Sequence, residues 1–165
     1  MLWGDGDERM IINDLNDIKE TYGLIYADPP WKQSKGGKKS VSTTENSILF
    51  LWTIDKYLFE AQQIAESLGY KLHARMIWDK VTGIPAAFTV RYGHEYLLYM
   101  YKGKLTPVAK DERGKIHTVF RERVTKHSKK PDIAYEIIER LYPDLKKLEM
   151  YARETRDAGT VLATK

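Results

Sequence analysis

Short apolar runs alternate along this chain with segments in which apolar residues recur every three or four positions. Apolar and aromatic runs predict strands, and uninterrupted runs are typical of strands covered on both faces. The 3–4 spacing in residues 57–68 and 134–141 predicts two helices. The order of strand, helix and strand indicates an α/β domain. The predicted strands occupy residues 24–27, 48–52, 72–78, 96–101 and 148–152.

The ends of both predicted helices carry recognisable signals. Gly69 follows the first helix where a C-terminal cap is expected. Pro131 is acceptable in the first turn of the second helix, and either Ser128 or Asp132 could cap it. We expect the first helix to bury an apolar face that consists of Tyr57, Ala61, Ile64, Ala65 and Leu68.

Composition narrows the class of protein. With 165 residues, of which 42% are apolar and 30% charged, the chain fits one globular domain spanning residues 1–165, and its apolar runs are too short to cross a membrane. The absence of cysteine excludes disulfides and thiolate metal sites, and we expect a cytoplasmic protein. The four histidines lack metal-ligand spacing, so no metal is assigned. A net charge of +4 permits a polyanionic partner without requiring one.

The most informative stretch is residues 24–31, LIYADPPW. A buried strand runs directly into a carboxylate, two prolines and an indole, so the strand ends at a rigid turn. The Asp28 carboxylate and the Pro29 carbonyl can accept the two hydrogens of an exocyclic amine, and Trp31 can stack on its ring. Such positioning can supply much of the catalysis of a reaction at that nitrogen. The alternative is a structural turn covered by a tryptophan.

Residues 26–31, YADPPW, resemble the Asp-Pro-Pro-Trp signature of amino-methyltransferases that modify adenine at its exocyclic nitrogen. The tryptophan form is similar to the family of the eukaryotic messenger-RNA adenosine methyltransferase catalytic subunit, which has bacterial and phage members. The resemblance implies S-adenosylmethionine as cofactor. It also implies a Rossmann-like, mostly parallel sheet flanked by helices, with permuted motif order. The catalytic residues it implies are Asp28, Pro29, Pro30 and Trp31.

The same resemblance implies a cofactor site built from distant segments. Residues 128–131, SKKP, resemble the motif whose lysine reaches the cofactor's carboxylate, which maps onto Lys130. A helix start with free amides beside a lysine is a suitable anion site, although an ordinary helix start is the alternative. Residues 149–153, EMYAR, resemble the family's cofactor-binding strand and its following turn. The implied cofactor-binding residues are Asp28, Lys130, Arg153, Glu154, Thr155 and Arg156.

Several residues are candidates for the substrate side. Trp52 and Trp78 could line the pocket, with core packing as the alternative. Glu95, in a Gly-x-Glu entry to a strand, would sit at the substrate pocket or else pair with Arg91 on the surface. Residues 32–39 read as a basic loop that could hold a nucleic-acid backbone or simply be solvated. The substrate-binding residues we expect are Trp31, Lys32, Trp52, Lys80 and Glu95.

Residues 102–127 are polar and carry both charge signs, and the resemblance implies a target-recognition insertion there. The whole pattern predicts an S-adenosylmethionine-dependent enzyme that methylates the N6 nitrogen of adenine in nucleic acid, with DNA favoured over RNA. The rival hypothesis is a non-catalytic nucleic-acid-binding partner subunit of the same fold. A homodimer is possible, and no membrane association is expected.

Overall fold

The computed structural model describes residues 20–31, 41–81, 87–126 and 129–151. In these ranges the chain forms one six-stranded sheet, two α-helices and two short 3₁₀ helices. The strands are β1 (Tyr22–Ala27), β2 (Thr43–Thr53), β3 (Lys71–Asp79), β4 (His94–Lys102), β5 (Val119–Arg121) and β6 (Lys147–Met150). The helices are α1 (Leu58–Ser67) and α2 (Asp132–Leu141), with 3₁₀ helices at Asp55–Tyr57 and Lys110–Glu112.

The strand order across the sheet is β5-β3-β4-β2-β1-β6. β1 runs parallel to β2 and β6, and β3 runs parallel to β5, whereas β4 is antiparallel to both of its neighbours. Five strands therefore point one way and their carboxyl ends share one edge of the sheet. β1 ends at that edge between β2 and the last strand, β6. The expectation of a mostly parallel sheet flanked by helices is confirmed.

Alternation along the strands builds a core on each face of the sheet. Leu24 and Tyr26 of β1 face α2 and join a buried cluster with Ile138. Ile25 and Ala27 face the opposite way and join a second cluster with helix α1. Because both faces of β1 are covered, its carboxyl end is held rigidly where the Asp-Pro-Pro-Trp turn begins.

Helix α1 buries less of its surface than the sequence predicts. Only Ala61 and Ala65 are buried, whereas Ile64 is 48% and Leu68 57% exposed. Two alanines on the inner face allow the helix backbone to approach the sheet closely, and the larger apolar residues lie at the sides. Gly69 follows the helix at φ +94°, which fits its expected role at the helix end.

Two strands also differ from the prediction. β2 begins at Thr43 rather than at residue 48, so a Ser/Thr-rich stretch belongs to the strand. Its polar residues are ordered by pairing, since Ser47 pairs with Lys102, whose Nζ also donates to Thr43 Oγ1. The short β5 lies within residues 102–127 and was missed, because three residues carry too little pattern to detect.

A side chain about ten residues earlier in the sequence caps the start of α2. Pro131 is the N-terminal cap residue and makes no side-chain capping bond. Instead, the backbone N–H groups of Asp132 and Ile133 donate to the carboxylate of Glu122, at 2.7 and 3.1 Å. The free amides that we expected to attract a cofactor carboxylate are therefore bonded to the protein's own anion.

Some expectations lie outside the described residues. They concern the basic loop at 32–39, the cap at Ser128 and residues 152–156 after the last strand. The assignment of residues 1–165 to one domain stays a prediction. Residues 102–127 as a target-recognition insertion also stay a prediction, although their described part adds β5 to the sheet and packs Val108 and Ile116 against the core.

Two glycines after β4 offer a test of the local packing. Gly103 (φ +72°) and Gly114 (φ +74°) share a left-handed conformation, but a Cβ at Gly103 would lie 2.3 Å from Asn46 Oδ1 and 2.6 Å from the Glu45 carbonyl. A Cβ at Gly114 would meet nothing within 4 Å. We expect Gly114→Ala to lower the free energy of unfolding by about 1 kcal/mol. Gly103→Ala should cost a further ~1–3 kcal/mol from the clash. Urea unfolding of both variants measures the difference, and equal losses would contradict this packing.

Candidate active site

The site is built at the carboxyl edge of the sheet, where β1 gives way to the Asp-Pro-Pro-Trp turn. Asp28 follows β1 directly, and its backbone N–H donates to the Met150 carbonyl at 3.2 Å. The turn is therefore fastened to the end of β6, the strand that the sequence assigns to cofactor binding. Asp28 is only 9% exposed, so its carboxylate is mostly withdrawn from water.

Four charged side chains form a chain of ion pairs from this turn. Lys130 Nζ lies 3.7 Å from Asp28 Oδ1 and 2.7 Å from Glu95 Oε2. The other oxygen of Glu95, Oε1, lies 3.1 Å from Lys80 Nζ. Two carboxylates and two ammonium groups balance in charge, which lowers the cost of withdrawing them from water. We call these four residues the charge chain.

The charge chain connects residues that are far apart in the sequence. Asp28 ends β1, Lys80 follows β3, Glu95 lies near the start of β4, and Lys130 precedes α2. Their side chains are between 12% and 22% exposed. Antiparallel β4 makes this possible, because its first residues lie at the edge where the parallel strands end.

Glu95 is held in its charged form. Burial alone would raise the pKa of its carboxyl group, but the nearby Lys130 and Lys80 outweigh burial, so its net pKa is lowered. Of the two alternatives for Glu95, a surface pairing with Arg91 is wrong, since the carboxylate pairs with Lys80 and Lys130, and a place at the substrate pocket stays a prediction. The glutamate lies inside the charge chain.

Tryptophan rings lie beneath the two lysines. Lys130 Nζ is 5.2 Å from the centre of the Trp52 ring, and Lys80 Nζ is 5.3 Å from that of Trp78. The two indoles meet edge to face at 5.9 Å and are 0% and 2% exposed. Both therefore occupy the core, which was the alternative left open for them, and they support the lysines from below.

Trp31 has a fixed position in the turn. Its Nε1–H donates to the Trp52 carbonyl at 2.9 Å, and its ring packs, half-buried, on the α1 side of the sheet. The indole is thereby tied to the end of β2. Trp31 is partly exposed, and its stacking on a base stays a prediction.

Tyr26 is a site residue that the sequence reasoning missed. Its hydroxyl accepts a hydrogen bond from Trp52 Nε1 at 2.7 Å, and its ring meets Tyr135 edge to face at 5.0 Å. Burial raises the pKa of Tyr26 well above its ordinary value, so the phenol stays protonated. Its position two residues before Asp28 on a buried strand is the signal that could have found it, because such residues share a face with Asp28.

The described residues include only the edge of the expected cofactor site. Tyr135 donates a hydrogen bond to Glu149 of β6, and Tyr151 directly after β6 has φ +63°. The positive φ turns the chain sharply there, beside the Asp28 turn. Asp28 and Lys130 are the expected cofactor-binding residues within the described ranges. Lys32 and the other expected cofactor-binding residues lie outside them; the latter are Arg153, Glu154, Thr155 and Arg156.

Among the residues of the described ranges, no group of three or more His, Asp or Glu side chains is arranged to hold a metal ion. Within the same ranges, neither α-helix has the length and apolar character needed to cross a membrane.

This arrangement of strands and site defines a class of protein. The fold is that of Rossmann-like methyltransferases. A crystal structure of an M1.HpyAVI-SAM complex matches it with a TM-score of 0.60 at 16% identity, over 79% of this chain and 72% of that one. A crystal structure of M1.HpyAVI matches it with a TM-score of 0.61, over 79% of this chain and 71% of that one.

A sequence match assigns the chain to a family. The MT-A70 family model matches residues 38–163, which is more than half of the chain. The chain belongs to the MT-A70 family, as the sequence resemblance indicated. The matched residues begin after the Asp-Pro-Pro-Trp turn, so the assignment is independent of that motif.

Relatives fall into two groups. The Type II methyltransferase M.MunI of Mycoplasma sp is 24% identical over 86% of this chain and 78% of its own length. The N(6)-adenosine-methyltransferase MT-A70-like protein of Arabidopsis thaliana is 28% identical over 83% of this chain. This chain spans only 22% of the length of the plant protein.

The lowered pKa of Glu95 predicts a pH-dependent stability. A carboxyl group whose pKa is lower in the folded state contributes stability above its unfolded value, here 4.5, and loses it as pH falls through the folded pKa. Glu95→Gln keeps the shape but removes this contribution. We expect the free energy of unfolding of the unmodified protein to fall more steeply below pH 4.5 than that of the variant. Parallel pH profiles in denaturant unfolding would contradict the charge chain.

Proposed function

We propose that this protein is an S-adenosylmethionine-dependent methyltransferase that transfers a methyl group to the exocyclic N6 nitrogen of adenine in nucleic acid. The observation that carries the proposal is Asp28, a buried carboxylate beside an ammonium group at the carboxyl end of β1, in a chain of the MT-A70 family. The names of its relatives, a Type II methyltransferase and an N(6)-adenosine-methyltransferase, support the same reaction.

The turn supplies acceptors for the amine. An ionised carboxylate only accepts hydrogen bonds, so the Asp28 carboxylate, 3.7 Å from Lys130 Nζ, is suited to hold an NH₂ group. The Pro29 carbonyl is the second acceptor, and the anchored indole of Trp31 is the surface on which the adenine stacks. Pro30 keeps the turn rigid. Holding both hydrogens of the amine directs its lone pair away from the ring and toward the methyl donor.

The reaction needs no covalent enzyme intermediate. The methyl group would pass directly from the cofactor to the amine nitrogen, which Asp28, Pro29 and Trp31 would hold in place. The amine nitrogen loses one proton on methylation, and the Asp28 carboxylate is the base that we propose accepts it. S-adenosylmethionine, when bound, supplies the activated methyl group; the chain's own residues position the amine and keep the site dry.

The described residues fit the methionine end of this cofactor. That end carries a carboxylate and an ammonium group, and the charge chain offers one partner for each beside the junction of β1 and β6. Lys130, with its ammonium group between Asp28 and Glu95, is our proposed partner for the cofactor's carboxylate. The residues expected to complete the site are Arg153, Glu154, Thr155 and Arg156.

Nucleic acid is the substrate that we propose, with DNA favoured. This chain spans 78% of M.MunI, a small bacterial methyltransferase, but only 22% of the plant relative whose name specifies adenosine. RNA is therefore the alternative substrate. Residues 102–127 and Lys32 are the proposed backbone contacts. A homodimer and a cytoplasmic location stay predictions.

Asp28→Asn tests the proposed chemistry. The amide keeps the size of the carboxylate but places hydrogen-bond donors against the amine, so we expect methyl transfer to fall at least about 100-fold. Transfer of labelled methyl to adenine in matched DNA and RNA oligonucleotides measures the loss and identifies the substrate. Asp144→Asn, at an exposed position between α2 and β6, is the matched control and should retain full activity.

The rival hypothesis gives a different result. A non-catalytic partner subunit would bind the oligonucleotides equally as unmodified protein and as Asp28→Asn, and neither would methylate them. Activity retained in Asp28→Asn would instead contradict the role of the carboxylate.

A further inference from the structure

One exposed stretch of the chain lies beside the site and has no role in the proposed chemistry. Residues 87–93, which we call the aromatic segment, read AFTVRYG and precede β4. Phe88 is 105% exposed, Val90 64% and Tyr92 60%. Large apolar residues that cluster at the surface mark an interaction site more often than singly exposed ones do.

Backbone hydrogen bonds fasten the end of this segment to the active-site edge. The Lys80 N–H donates to the Gly93 carbonyl at 2.9 Å, and Asp79 pairs with His94 in the sheet. Glu95 of the charge chain follows two residues after Gly93. The aromatic segment therefore leads directly into the residues that surround Asp28.

Basic side chains share this edge with the aromatic segment. The Val124 N–H donates to the Lys80 carbonyl at 3.2 Å, which brings residues 121–124 alongside the end of β3. Arg121 is 69% exposed while it contacts Asp79 at 2.9 Å. Arg91 and Arg123 are also exposed. Exposed rings interleaved with arginines suit a polyanion with flat bases better than they suit an apolar protein surface.

We propose that Phe88 and Tyr92 stack on the bases next to the target adenine, while Arg91 and Arg123 contact the adjoining phosphates. The proposal rests on the proposed function and identifies how its substrate is held. Placing an adenine in a pocket beside Asp28 requires its removal from the base stack, which leaves neighbouring bases without a partner. Rings at the mouth of the site would replace the lost stacking.

The test is binding, measured separately from methyl transfer. The probe is a short fluorescent single-stranded DNA with one adenine, and fluorescence anisotropy gives its affinity. We expect Phe88→Ala/Tyr92→Ala to weaken binding about tenfold or more. The dependence of affinity on salt should stay unchanged, because no cation is lost. Arg91→Ala should instead reduce the salt slope by about one.

Two controls separate stacking from other effects. Ile64→Ala/Leu68→Ala removes comparably exposed apolar side chains from α1 and its C-terminal cap and should leave binding unchanged. A probe with abasic positions on both sides of the adenine lacks the stacking partners. The unmodified protein should lose affinity for this probe, whereas Phe88→Ala/Tyr92→Ala should bind both probes alike. The variant Phe88→Trp/Tyr92→Trp should, like the unmodified protein, bind the probe with flanking bases more tightly than the abasic probe.

Each contrary result is informative. Unchanged binding by Phe88→Ala/Tyr92→Ala overturns the proposal while leaving the methyltransferase assignment intact. If that variant also changes from dimer to monomer, the segment is a protein contact instead. Failure of the unmodified protein to bind the probe overturns the proposal as well. If the protein shows these effects on binding but transfers no methyl group, the inference is supported and the proposed catalytic activity is contradicted.

Discussion

The ammonium group of Lys130, placed between the carboxylates of Asp28 and Glu95, is the interaction on which the rest of the site depends. It joins the end of β1, the start of β4 and the segment before α2. Removing the lysine would leave two carboxylates close together and largely withdrawn from water, a costly arrangement. The position of Asp28 is therefore set by charge as well as by the rigid turn.

The surrounding packing explains why this charge chain can be held so far from water. Trp52 and Trp78 are buried beneath the two lysines, and their own N–H groups are bonded, Trp52 to Tyr26 and Trp78 to the Glu122 carbonyl. Glu122 also caps α2 through its side chain. One short segment after β5 thus fixes both the floor of the site and the helix that follows Lys130.

Residues with a strong local pattern could be predicted from the sequence. The strand before Asp28, most of β4 and helix α2 all follow from uninterrupted or periodic apolar positions, whereas the antiparallel direction of β4 does not. Three-residue β5 could not be found in this way, and neither could the Glu122 cap, because both depend on contacts between distant segments. For the same reason, Glu95 was placed near the substrate without its lysine partners. Trp52, expected to bind the substrate with core packing as the alternative, lies in the core, and its place below Lys130 needed the fold.

The central claim is that Asp28 recognises an amino group on the target base. The most direct measurement compares the affinity for two oligonucleotides that differ only at the target, which is adenine in one and purine, without the amine, in the other. For the unmodified protein we expect adenine to bind roughly tenfold more tightly, as a hydrogen bond to a charged group allows. With Asp28→Asn, this preference should disappear. An equal preference for adenine in both proteins would show that the amine is held elsewhere and would contradict the account.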